Sequence, residues 1–175
     1  MTTATQPTAV TSEALAPPSD LNHEGVQAIT AALNPLIADA FALYIKTKNF
    51  HWHLSGAHFR DYHLLFDEQA EQIFGSIDDL AERVRKVGGT TIRSISHIAD
   101  LQTIEDDNRS LVPAAEMLKT LCDDNAHMLR QQRGAHAICD RYGDVASASL
   151  LETLIDESER RTWFLFETLQ ATGRA

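Results

Sequence analysis

Helix breakers are scarce in this 175-residue chain, which has eight Gly and five Pro, three of the Pro before residue 20. Long, uninterrupted helices are the natural consequence, and no apolar–polar alternation of period two competes with them. Cysteine is equally sparse. Cys122 and Cys139 are the only two, and on one helix they would stand about 26 Å apart, too far to bridge. Reduced thiols and a cytoplasmic location are the simplest expectation. Long apolar runs are missing as well. The longest, Ala40 to Ile45, has six residues, against the ~20 of a spanning helix, so no membrane association is expected. The first residues show neither a basic stretch nor an apolar one, so no secretory signal is expected. Positive charge is in short supply: Lys+Arg is 15 against Asp+Glu 25, a formal net charge of −10, and the first base is Lys46. This balance argues against general binding to nucleic acid or anionic membranes and suits cations as partners.

What is present is a globular composition, 43% hydrophobic and 23% charged, in a length typical of one domain. Residues 1–20 are Thr/Ala/Pro-rich and aperiodic, and are expected to form a flexible tail; residues 21–175 form the domain. From Leu21 to His53 apolar residues recur at three and four, with Asn34-Pro35 marking a kink or a late start. A second helix runs from about Phe59 to Val87 and stops at Gly88-Gly89. The long connection that follows carries Ile92, Ile95, Ile98 and Leu101 at intervals of three, the pattern of a short helix lying on an apolar surface. Pro113 fits the first turn of a third long helix reaching Tyr142. Asp144 suits the cap of a fourth, Val145 to Gln170. Two tight links and one long crossover give an all-α four-helix bundle with a short extra helix, the connectivity of ferritin-like bundles, among other four-helix topologies.

The second helix carries the chemistry. At ~100° per residue, His63, Asp67, Asp78 and Glu82 share one stripe about 100° wide, with Glu71 on it too. Phe66, Ile73, Ile77, Leu80 and Val84 form a separate apolar face beside it. The four cannot serve one site in one chain, because Asp67 and Asp78 lie about 16 Å apart along the axis. Their positions are nevertheless symmetric about residues 72–73. An antiparallel crossing with a second copy would bring His63 and Asp67 of one chain to Glu82 and Asp78 of the other, making two equivalent sites. Gly75 and Ser76 near the crossing would let the backbones approach. His51, at the end of the first helix, can join through the hairpin. Imidazole plus carboxylate suits Fe(II), Mn(II) or Zn(II), not an all-oxygen magnesium or calcium site. His53 and His58 read as hairpin or surface residues. Trp52 reads most simply as core, with a one-electron redox role conceivable beside a metal.

The block KNFHWHLSGAHFRDYHLLFDEQ, followed by DDLAERVRKVGG, resembles the Dps family of mini-ferritins (DNA-binding proteins from starved cells) over roughly residues 25–170. The family's ligand pattern falls on His51, His63, Asp67, Asp78 and Glu82. The resemblance implies a shell of twelve subunits with ferroxidase sites shared across two-fold dimers. It also implies Fe(II) oxidised, usually by hydrogen peroxide, and stored as a ferric mineral, protecting against oxidative stress. Family members that bind DNA commonly use basic termini, which this chain lacks, so DNA is not an expected partner. Near the last hairpin turn, Asp140 and Asp144 read either as lining an acidic three-fold pore or as simple capping residues. Two readings compete with a ferroxidase: a non-catalytic DNA-binding nucleoid protein, and a structural oligomer that binds zinc. A larger ferritin needs paired Glu-x-x-His motifs, and the nearest match is a single Asp124-x-x-His127.

Overall fold

The computed structural model describes residues 17–172, so most of the expected tail lies outside the described residues. Five helices follow one another, α1 (His23–His53), α2 (Phe59–Lys86), α3 (Ile95–Leu101), α4 (Ala114–Arg141) and α5 (Val145–Thr172), with no strand among the described residues. α1 pairs with α2 and α4 with α5; the two hairpins join chiefly through α1 and α4, and α3 rests on α1. The fold is the expected bundle with its short helix in the crossover.

α1 starts where Asn22 Oδ1 accepts a hydrogen bond from Gly25 N at 2.8 Å, satisfying one of the free N–H groups of a first turn. It continues through Pro35 without a late start. An interior proline costs about 3 kcal/mol. Here Ile29, Leu33, Leu36, Ile37 and Leu43 are all buried around it, and each such side chain contributes about 1.5–3 kcal/mol. α1 is also apolar enough to cross a membrane by length and composition, its window reaching a mean hydropathy of 1.5 with half of it buried in the bundle. Run length alone did not expose this, because polar residues interrupt the stretch. In the fold those residues are partnered. Asp39, fully buried, accepts from Thr103 N, Thr103 Oγ1 and Ile104 N. Lys46 pairs with Asp124 at 2.6 Å. Both contacts strap the long crossover and α4 to α1.

The ends of the other helices follow from short-range chemistry. Gly88, at φ 97°, turns the chain after α2. At Gly89 a Cβ would stand 2.1 Å from Thr30 Oγ1, so no side chain fits between the crossover and α1. Pro113 is the N-cap of α4 rather than part of its first turn. Asp144 caps α5 through Ser147 N and also binds Arg83 Nη2 at 2.8 Å. It is buried and committed there, whereas Asp140 is exposed. Of the isoleucines in the crossover, Ile98 is buried but Ile95 is 79% exposed, so α3 lies on α1 by one residue and presents another outward. Both cysteines sit on α4 as free thiols, and burial pushes the Cys139 thiol up to about 11.

Candidate metal centre

The first hairpin brings His51 of α1 onto His63 of α2. His51 Nδ1 lies 2.8 Å from the His63 carbonyl, and His63 Nδ1 lies 3.0 Å from the His51 carbonyl. A carbonyl only accepts, so each Nδ1 carries a proton and donates it. The two rings stack at 3.7 Å with 21° between their planes, and Phe59 stacks on His63 at 4.9 Å. In the neutral rings both Nε2 atoms are then bare donors held in fixed orientation. A backbone carbonyl holding the far N–H is the usual way a protein sets up a metal-binding imidazole.

Asp67 follows one turn later on α2. Its Oδ1 is 3.8 Å from His51 Nε2 and 2.5 Å from Lys48 Nζ. The hydrogen bond from Lys48 is the main reason the Asp67 carboxyl sits below the ordinary range; desolvation opposes it, and the nearby imidazoles add to it. The same bond raises Lys48. Within one chain, then, the Asp67 charge is taken by an ammonium. Sequence reasoning missed Lys48, although its position one turn before His51 on the same helix face was the available signal.

Asp78 and Glu82 lie farther along α2 and are exposed. Glu82 pairs with Lys86 at 2.7 Å, which lowers its carboxyl pKa. Among the described residues, no three His, Cys, Asp or Glu side chains are close enough to hold a metal ion within one chain. The fold thus places His51, His63 and Asp67 side by side and leaves Asp78 and Glu82 apart from them. Around Asp78 the surface is mostly apolar. Asp78 lines an open cavity of about 650 Å³ with Ile37, Phe41, Phe74, Ile77 and Ile95, and Thr91, Arg93 and Ser94 add its polar part. At Gly75, one turn before, an added Cβ would meet nothing within 4 Å.

Trp52 corrects one expectation: it is 61% exposed at the end of α1 and is not core of its own chain. It follows His51 in sequence, and α1 turns it outward because His51, the residue before it, takes the inward position. His53 is exposed, its Nδ1 bound to the Asn49 carbonyl, and His58 is exposed at the start of α2.

An all-α bundle with a long second crossover and an imidazole–carboxylate group at one hairpin is ferritin-like, and the family described as ferritin-like domain matches residues 30–175. A DNA protection during starvation protein of Brevibacillus brevis is 30% identical over 139 residues, covering 79% of this chain and 93% of that one. DpsC from Streptomyces coelicolor superposes with a TM-score of 0.83 at 29% identity, covering 87% of this chain and 89% of that one. A Dps protein from Vibrio cholerae, whose structure is described as a member of the ferritin-like diiron-carboxylate superfamily, gives 0.81 at 28% identity, covering 85% and 93%. The chain belongs to the Dps family of mini-ferritins.

Proposed function

We propose that this protein is a Dps-type ferroxidase and iron store. Two chains cross antiparallel through α2 near residues 72–73. His51, His63 and Asp67 of one then face Asp78 and Glu82 of the other, and these five side chains bind Fe(II) as substrate. The assembly is a closed shell, with twelve subunits expected, each contributing one bundle domain. Hydrogen peroxide is the expected oxidant. Two Fe(II) lose one electron each, and the peroxide takes both with two protons and leaves as two waters. The ferric product is stored inside the shell, and the removal of both reactants protects DNA and other targets.

The observation that carries this reading is the reciprocal His51–His63 bond, which fixes two imidazoles as donors beside a carboxylate in a chain that does not complete the site alone. The exposed Phe74 and Ile95 beside Asp78 support a covered two-fold face, since contiguous apolar surface of this kind marks an interface. The donor set also suits zinc, which binds such sites at least as tightly as iron and is expected to compete. We assign Trp52, exposed at the end of α1 next to His51, the role of a one-electron relay. The test is stopped-flow absorbance after anaerobic Fe(II) loading of the assembled protein, with peroxide or O2 as oxidant. Rapid ferric absorbance with peroxide, blocked by prior zinc, is expected. Tight metal binding without any oxidation would leave a structural zinc oligomer instead.

Lys48 sets a second expectation. Metal binding at Asp67 must displace its ammonium, so Lys48→Ala should tighten Fe(II) binding. A partly exposed ion pair of this kind contributes ~0.2–1 kcal/mol, so the gain is at most about fivefold and at least about 1.4-fold. Anaerobic Fe(II) titration by calorimetry reads it, and weaker binding in the variant would make Lys48 a supporting residue of the site instead.

DNA gives a third. Duplex affinity comes largely from Lys and Arg on phosphates, and the first base of this chain is Lys46. At −10 per chain, twelve subunits carry a formal charge of about −120, which repels a polyanion. No retarded band with linear duplex is expected at about 0.15 M salt with chelator present. A band competed away by a polyanion would overturn this, and it would favour the nucleoid-protein reading.

A further inference from the structure

Lys48 and a metal ion compete for one atom. Lys48 Nζ stands 2.5 Å from Asp67 Oδ1, and the same oxygen is the one that faces His51 Nε2 at 3.8 Å. A divalent ion held between that carboxylate and that imidazole repels an ammonium left beside it. The Lys48 side chain is only 16% exposed, so it needs an acceptor of its own once it is displaced.

The hairpin gives the ammonium a direction in which to move. The reciprocal bonds put His51 level with His63. α1 and α2 run antiparallel, so Lys48 is level with Phe66 and Asp67, and Tyr44 with Ala70. The contact of the Tyr44 and Phe74 rings at 5.0 Å agrees with this register. Side chains on a helix lean toward its N-terminus. For Lys48 that is the direction from Asp67 to Glu71, the next residue on the same stripe of α2 and ~6 Å farther along the axis. A flexible four-carbon stem spans such a step. Tyr44, one turn before Lys48, offers only a neutral hydroxyl. Glu71 offers a charge; it is exposed and takes part in none of the ion pairs formed among the described residues. Lys48 is held above its ordinary pKa first by the hydrogen bond to Asp67, against burial, with Asp67, Tyr44 and Glu71 adding at longer range.

We propose that Glu71 is the receiving carboxylate of a lysine switch: when a divalent metal ion takes Asp67, the Lys48 ammonium passes from Asp67 to Glu71, a step that rests on the shared site proposed above. In that dimer Glu71 lies between Asp67 and the crossing at residues 72–73. The partner helix takes it out of water there, and a carboxylate so placed needs a counter-charge. The empty site holds its own cation on Asp67; the loaded site parks that cation one turn away. Glu71 is therefore a positioning residue rather than a ligand. It touches no metal ion and acts through Lys48, by clearing Asp67.

The probe is Co(II), on the full assembled protein, an ion that imidazole and carboxylate bind and that is seen without being oxidised. Anaerobic calorimetry reads its affinity, and visible absorption reads its coordination. Glu71→Gln should weaken Co(II) binding about two- to fivefold, the upper part of what a partly exposed ion pair contributes, and leave the shape of the Co(II) bands unchanged. Glu68→Gln, exposed on α2 but off the stripe, measures the loss of a charge as such and should cost less. In a Lys48→Ala background the effect of Glu71→Gln should shrink to that of Glu68→Gln, because no ammonium is left to receive. Crystals of the Co(II) form should show Lys48 Nζ within hydrogen-bond distance of Glu71 and away from Asp67. An equal effect of Glu71→Gln with and without Lys48 overturns the switch, and altered bands make Glu71 a ligand and overturn it too. So does a Lys48 that stays on Asp67, or points into solvent, in the metal-loaded crystal. In all three cases the metal site itself stands. No saturable Co(II) binding to wild type would instead remove the site and the switch together.

Discussion

Mixing two inactive variants is expected to restore iron oxidation. His63→Ala with Asp67→Ala removes one half of the proposed site, and Asp78→Ala with Glu82→Ala removes the other. Each double variant alone should oxidise Fe(II) far more slowly than wild type, by more than the roughly 10–100-fold that losing an outer-sphere partner costs. Helix content should hold, because Asp78 and Glu82 are exposed, Asp67 and Glu82 pair with half-buried and exposed lysines, and the His63 ring contacts His51 and Phe59 at the hairpin rather than the buried centre of the bundle. In a mixed two-fold dimer, one site takes Asp78 and Glu82 from the first variant and His63 and Asp67 from the second. That site is intact, and the other is empty of all four. Random re-pairing makes about half the dimers mixed, so roughly a quarter of the wild-type sites should return. The measurement is stopped-flow oxidation after dissociation, mixing and reassembly, with hybrids verified by native mass spectrometry. No recovery in verified hybrids would mean that the ligands act within single chains, and the antiparallel crossing would be wrong.

How far the sequence foretold this arrangement depended on the range of the interactions. The stripe of His63, Asp67, Asp78 and Glu82 was legible because it lies on one helix and needs only the 3.6-residue period. The hairpin placed His51 near the start of α2, since Ser55-Gly56 leaves a short link. The reciprocal bonds between the two histidines and the opposite backbones were not legible. They depend on the depth at which two helices pack, which no local pattern encodes. Lys48 on Asp67 was missed for a related reason: a long, flexible side chain finds its partner only once α1 and α2 are side by side. Pro35 was over-read as a boundary, because propensity is local and the burial of Leu33, Leu36 and Ile37 is not. Trp52 was read most simply as core, but helical phase decides its direction, and His51 already takes the inward position. Arg161 is the opposite case. An arginine in a helix reads as a surface residue, and only the tertiary structure reveals it among Asn125 and Ser158.

Gly75→Leu should separate the fold of one chain from the assembly of two. Gly75 sits inside α2, where glycine is unfavourable by roughly 0.5–1 kcal/mol relative to alanine, and its φ is not among the positive values that would require it. Within one chain a Cβ at this position meets nothing within 4 Å. Nothing in the single bundle therefore explains the glycine, and a side chain there should leave the bundle intact. In the proposed dimer, position 75 lies close to the crossing point of two α2 helices. Helix axes approach to about 8–10 Å depending on the side chains between them, so a leucine from each chain would push them apart. Asp78 and Glu82 would then no longer reach the partner's His63 and Asp67. The expected result is unchanged helicity by circular dichroism, loss of the large oligomer by sedimentation, and loss of rapid iron oxidation. Gly75→Ala serves as the graded control, since its single methyl gains helix propensity while intruding least. If Gly75→Leu instead assembles and oxidises iron like wild type, α2 does not cross its copy at this position, and the shared site must be built from another face.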